Sequence, residues 1–236
     1  MTSSNPRAPT LSPSAASSFF HTRRLLLRAV EESDLDFIHA IEADPTDMLF
    51  ASGSIQKPRS RAQAEKSRDW LMNEALIGVI ICLKPDADAD DAAGSEVAAG
   101  GSAADGSTGA DNAKPPIPIG RMNLEYEDAP HHRNGYLGLE IAKAYRGQGY
   151  GEEALRWLVQ WGFQAANLHR IEIAYFSWNE RAGKLYERVG FQEEGRKKEC
   201  FWFLGGWGDD VIMGMTEGRW RALEAERVKG EGGGQG

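Results

Sequence analysis

The stretch AYRGQGYGEEAL, residues 144–155, most constrains what this chain can fold into. Gly147, Gly149 and Gly151 alternate directly ahead of a strongly helical pattern and directly after a strand-like run, NGYLGLEIA. A glycine costs a helix about 1 kcal/mol relative to alanine, so its use here needs a compensating reason. Without a Cβ the backbone can take positive φ and approach a ligand closely. Successive N–H groups at a helix N-terminus carry about half a positive charge, which suits them to phosphate. A dinucleotide fingerprint fails from Gly147, because Glu152 stands where a third glycine belongs. From Gly149 only the weaker form ending in Ala154 survives, and the following strand closes on Phe176 and Ser177 without a ribose-binding acid. A P-loop is excluded by the missing Gly-Lys-Ser/Thr ending. A purely structural strand-to-helix turn remains the alternative.

The surrounding pattern predicts an α/β chain. RRLLLRAV reads as a strand, EESDLDFIHAIEAD as a helix with an acidic first turn, and SRAQAEKSRDWLMNEA as a helix capped by Ser60. LIGVIICL and IPIGRMNLEY read as two strands of a hairpin. The helix after the glycine turn, expected to reach about Asn167, places Leu155, Leu158, Val159, Gly162 and Ala166 on one stripe. RIEIAYFSW then reads as a strand and NERAGKLYERVGF as a short helix with Ala182, Leu185, Tyr186 and Val189 inward and Gly190 as its stop. Two more strands, around GRKKECFWF and DVIMGM, and a polar helix complete the chain. Hairpins mixed with crossover helices imply a mixed central sheet flanked by helices.

Residues 1–18 are rich in Ser, Pro and Ala and are expected to be a disordered tail; Pro6, Pro9 and Pro13 break the amphipathic helix that a transit peptide would need. The expected folded domain covers 19–228, interrupted by a low-complexity acidic insert at 84–116, with 229–236 as a second tail. The insert carries seven acidic residues against two lysines, a net of −5 out of the chain's −8. The negative balance and the absence of basic clusters argue against nucleic acid as a partner and suit a cationic or neutral substrate. No apolar run reaches the 18 residues of a membrane span, so a cytoplasmic protein with no membrane partner is expected. Cys82 and Cys200 sit in apolar or aromatic company and are expected to be buried thiols; no metal-ligand spacing is present.

Arg146, Gly149 and Gly151 form R-x-x-G-x-G after a strand, and Asn179, Ala182, Tyr186, Gly190 and Phe191 form N-x-x-A-x-x-x-Y-x-x-x-G-F one strand later. Together these resemble the two cofactor segments of the GNAT N-acetyltransferase superfamily. The segments TRRLLLRAVEESDLDFIHAIEADP and DDVIMGM are similar to its Rim-type branch, whose members acetylate amino termini of ribosomal proteins and other amines. The resemblance covers roughly 21–220 without the insert. It implies a single GNAT-like α/β domain whose sheet is splayed at the two cofactor-binding strands. It also implies acetyl-coenzyme A as cofactor, a primary amine as acceptor (a protein N-terminus or a small amine), direct attack in a ternary complex, and a monomer or homodimer. A non-catalytic acyl-coenzyme A sensor with the same fold is the rival reading.

Carried onto this sequence, the resemblance assigns cofactor binding to Ile141, Arg146, Gly147, Gln148, Gly149, Tyr150, Gly151, Asn179 and Lys184, with Ile141 as the strand partner of the pantetheine arm. Gln148 stands where relatives often carry Lys or Arg. Tyr186 takes the position of the acid that protonates the leaving thiolate, and Asn179 also suits a helix N-cap. For the base, Glu140 ranks first, Glu125 second, and the loop residues His131 and His132 third.

Overall fold

The chain alternates hydrophobic residues at period two where one sheet face is covered and runs them together where both are. The structure, a computed structural model, shows both cases over the residues it describes, 19–85, 115–127 and 129–232. The first strand, β1 (Leu25–Ala29), buries Leu25 and Leu27 on one face. β2 (Ile77–Leu83) buries four consecutive residues: Val79 and Ile81 join the core on one side of the sheet, Ile80 and Cys82 a second core on the other. Helices on both faces explain the unbroken apolar run. α1 (Leu35–Ala43) and α3 (Arg61–Asn73) contribute Leu35, Ile38, Ala64 and Leu71 to the smaller core. α4 (Tyr150–Gln164) lays Leu155, Leu158, Val159 and Phe163 on the larger one.

Seven strands form one sheet in the order β1-β2-β3-β4-β5-β7-β6, with β3 (Ile117–Tyr126), β4 (Asn134–Ile141), β5 (Arg170–Phe176), β6 (Gln192–Phe203) and β7 (Gly206–Thr216). Every pairing is antiparallel except β4 with β5, the two strands that α4 connects. That parallel ladder is short: Asn134, Gly135 and Tyr136 pair with Arg170, Ile171 and Glu172, and nothing beyond. β4 stays fully paired to β3 on its other side, and β5 to β7, so the sheet opens at 137–141 and 173–176. The expected splay is therefore present. α5 (Glu180–Val189) crosses the opening, and Gly190 ends it at φ 121°.

Several expectations need correction. A short helix, α2 (Pro45–Ala51), follows α1 unannounced; its start was readable, because Asp44 accepts from the Thr46 backbone N–H at 2.7 Å with Pro at the first helical position. α4 stops at Gln164 rather than near Asn167, which takes a left-handed φ of 54°. The last helix, α6 (Glu217–Gly232), takes in residues 229–232, which the expected domain edge had assigned to a tail. Cys82 is buried as expected, but Cys200 is exposed: β6 is an edge strand with shifted register between Lys197 and Phe201, and its outer face lies uncovered. The insert leaves and re-enters at the hairpin end where Leu83 pairs with Ile117. The 1–18 tail, 86–114 of the insert and residues 233–236 lie outside the described residues.

Candidate functional site

The glycine turn is held by a residue far away in sequence. Gly147 (φ 81°) and Gly149 (φ 83°) adopt the left-handed conformation that disfavours any side chain. Arg24, just before β1, donates from Nη1 to the Gln148 carbonyl at 2.9 Å and from Nε to Glu153 at 2.8 Å, and its guanidinium lies 4.5 Å from the Tyr150 ring centroid. Glu153 also accepts from the Thr22 hydroxyl and the Arg24 backbone N–H. Burial pushes its carboxyl up, but these donors outweigh burial and hold it below its ordinary range. Gly151 differs from the other two. It lies inside α4, and a Cβ there would stand 3.5 to 3.7 Å from Leu185, Leu139 and Ile141, which is ordinary contact. The fold tolerates a Cβ at 151, so the use of glycine there points to the space beside it.

That space is a cavity of about 890 Å³ between the opened strands, the turn and α5. Glu140, Ile141, Arg146, Gly147, Gly149, Gly151, Asn179, Lys184 and Tyr186 all line it. Gln148 and Tyr150 do not: the Gln148 side chain turns back to the Ala144 carbonyl, and Tyr150 is buried beneath Arg24. Their part is to shape the turn. Three groups that the sequence reading missed also line the cavity: Arg181, Arg188 and Trp178. Arg188 pairs with Glu152 at 3.1 Å and Lys184 with Glu180 at 3.5 Å, whereas Arg181 makes no ion pair among the described residues. Its guanidinium reaches within 3.2 Å of where a Gly147 Cβ would be, supplying beside the turn the charge that Gln148 lacks. Arg146 donates from Nε to the Ile141 carbonyl at 2.7 Å.

Asn179 caps α5 by accepting from the Ala182 N–H at 3.3 Å while facing the cavity, so both expected roles are open to it. Tyr186 is 7% exposed, packed edge-on to Tyr175 and Phe191 at centroid distances of 6.1 and 6.3 Å. Burial, reinforced by neighbouring Tyr136, pushes its phenol well above its ordinary pKa, so the hydroxyl keeps its proton. A protonated phenol lining a cavity can donate.

A second cavity of about 470 Å³ adjoins the first through Ala51, Leu139 and Glu140. Glu42, with its side chain 4% exposed, bridges Arg59 at 3.1 Å and Arg121 at 2.8 Å, and Arg121 continues to Glu140 at 2.9 Å. Burial alone would lower the Arg121 guanidinium, but Glu140 and Glu42 outweigh it and raise it. Lys66 and Trp70, one turn apart on α3, complete the wall, and Trp178 in the lining of the larger cavity donates to the Leu49 carbonyl of α2 at 2.9 Å. Glu140 thus sits where the two cavities meet. The other base candidates do not: Glu125 lies opposite Tyr136 and lines neither cavity. The rings of His131 and His132 lie tilted against each other, centroids 3.9 Å apart, in the turn before β4, at the end away from the opening.

A family model described as an acetyltransferase (GNAT) domain matches residues 24–192. The [Ribosomal protein uS5]-alanine N-acetyltransferase of Escherichia coli is 34% identical over 85 residues, 36% of this chain and 44% of that protein. The spermidine N(1)-acetyltransferase of Vibrio cholerae is 32% identical over 89 residues, 38% of this chain and 51% of that one. The chain spans about half the length of the curated relatives it matches. Among solved structures, spermidine N-acetyltransferase from Vibrio cholerae in complex with CoA and spermine superposes with a TM-score of 0.63 at 22% identity, covering 85% of this chain and 99% of that chain. The glycine turn, the opened strands and the family match agree: this chain belongs to the GNAT acetyltransferase family.

Proposed function

We propose that the chain transfers an acetyl group from acetyl-coenzyme A to a primary amine by direct attack within a ternary complex. The observation that carries this reading is that the glycine turn, the unpaired edge of β4 and the Tyr186 ring line one cavity. The residues fit the cofactor: left-handed glycines expose backbone N–H groups at the start of α4, Arg146, Arg181 and Lys184 add positive charge, and the bare face of Gly151 leaves room. The cofactor supplies the activated acetyl thioester. The turn's N–H groups would hold its phosphates, Ile141 and the rest of the β4 edge would pair with its amide arm, and Asn179 would reach the same arm from the start of α5.

Holding the thioester still converts a bimolecular encounter into an oriented one, worth several kcal/mol. Tyr186 donates its proton to the departing sulfur, and the proton that the amine sheds on becoming an amide passes through solvent to restore the phenol. The charge of Glu140 is already shared with Arg121, so its part is to accept an amine N–H and aim the lone pair at the carbonyl, rather than to remove a proton unaided. An α-amino group, with a reference pKa of about 8, needs less help to become neutral than a lysine at about 10.4.

The test is thiol release on mixing the protein with acetyl-coenzyme A and a panel of primary amines. Release that depends on one amine supports the reading. Tight coenzyme A binding with no release under any amine contradicts transfer and supports a sensor with the same fold.

A further inference from the structure

The smaller cavity contradicts the chain's overall charge. The whole protein carries −8, which favours a cationic acceptor, but five of those charges belong to the 84–116 insert. The lining of the cavity is what an acceptor meets, and local charge outweighs a distant, screened one. There Arg59, Lys66 and Arg121 face Glu42 and Glu140. Both carboxylates are committed: Glu42 lies between Arg59 and Arg121, and Glu140 on Arg121. These four groups cancel one another. Lys66 makes no ion pair among the described residues and leaves the cavity with a net positive wall. Arg59, which lines the same cavity as Lys66, pairs with Glu42 through Nη2 and keeps further guanidinium N–H donors beyond that bond.

Resting on the acetyl-transfer reading, we propose that the acceptor is a small primary amine that also carries an anionic group, a carboxylate or a phosphate. Its amine lies at Glu140, where the two cavities meet. Its anionic end lies against Lys66 and Arg59, with Trp70 packing on the carbon skeleton between them. The volume of about 470 Å³ suits a small molecule rather than a long chain. A polyamine has only positive groups to offer and finds no uncommitted carboxylate on this wall.

The test uses the full chain, with β-alanine, β-alanine amide, O-phosphoethanolamine and spermidine as acceptors at saturating acetyl-coenzyme A. Each is also titrated calorimetrically into the coenzyme A complex. The expected result is that β-alanine or O-phosphoethanolamine is used and bound at least about threefold better than the amide and better than spermidine, and which of the two leads names the anion. Lys66→Glu, an exposed substitution that leaves the buried network alone, should raise KM for the anionic amine about tenfold with kcat within about twofold. Spermidine preferred over both anionic amines, neither anionic amine preferred over the amide, or an unchanged KM in Lys66→Glu would each overturn the proposal. Coenzyme A affinity and thiol release are read in the same experiments. A protein that acetylates spermidine best would refute the anionic acceptor and keep acetyl transfer, whereas failure to bind coenzyme A would refute the transfer reading itself.

Discussion

The two cavities that meet at Glu140 are built in opposite ways. The larger one is made of backbone: a turn with two left-handed glycines, a helix start, and the edge of β4 that β5 leaves unpaired after Tyr136. The smaller one is made of side chains from α1, α3, β3, β4 and the segment before α3, tied by the alternating chain Arg59, Glu42, Arg121, Glu140. Backbone sites recognise what every cofactor molecule shares, so they tolerate little change. Side-chain sites set which partner is accepted, and single exchanges can retune them.

The largest expected effect is chemical. Tyr186→Phe keeps the ring against Tyr175 and Phe191 and removes only the hydroxyl, so kcat should fall about 10²-fold with melting temperature and coenzyme A affinity little changed. Initial rates beside melting curves decide it; a retained kcat would reduce Tyr186 to a packing residue. Because burial keeps that phenol protonated, the kcat profile should show no loss assignable to it up to about pH 10.

Next comes the backbone cavity. Gly151→Leu should weaken coenzyme A binding by tenfold or more in a titration, while the fold survives, since a Cβ there meets only ordinary contacts. Gly151→Ala sharpens the point, with stability unchanged or raised by up to about 1 kcal/mol and affinity lowered. An Ala variant that binds as well as wild type would break the account of that glycine.

A third effect falls on the clamp behind the turn. The Glu153 carboxyl is held below its ordinary value of 4.5, so its contribution is fully present above about pH 4.5 and is lost as pH falls through the lowered value. Glu153→Gln should lower stability at pH 7 by about 1–2 kcal/mol and flatten the acid limb of the stability profile; an unchanged limb in denaturant titrations from pH 2 to 7 would contradict it. The smallest effect is on the insert. Replacing 86–113 by a short Gly-containing turn should move the melting temperature by only a few degrees, because closing a longer loop costs about 0.6 kcal/mol per doubling. Loss of soluble expression would contradict this.

The same contrast decides how far each region can be read from the sequence. Period-two and period-3.6 patterns announced the strands and the helices other than α2, and R-x-x-G-x-G with N-x-x-A-x-x-x-Y announced Arg146, Gly149, Gly151, Asn179, Ala182 and Tyr186 around the larger cavity, because a backbone site leaves a local signature. Arg24 escaped because nothing local marks a residue that clamps a turn 124 positions away. Glu42, Arg59 and Arg121 escaped for the same reason: a buried charge looks like a solvated one until the fold brings its partner. His131 and His132 drew notice by residue type and lie at the wrong end of β4. Cys200 was misread because apolar company on an edge strand does not imply cover.

The central claim is that the cofactor occupies the opening between β4 and β5 and rests on the glycine turn. Amide hydrogen exchange of the full chain, with and without coenzyme A, tests it without altering a residue. The account predicts added protection at 137–151 and 178–188 and none at His131 and His132. Protection elsewhere with 137–151 unchanged would contradict it.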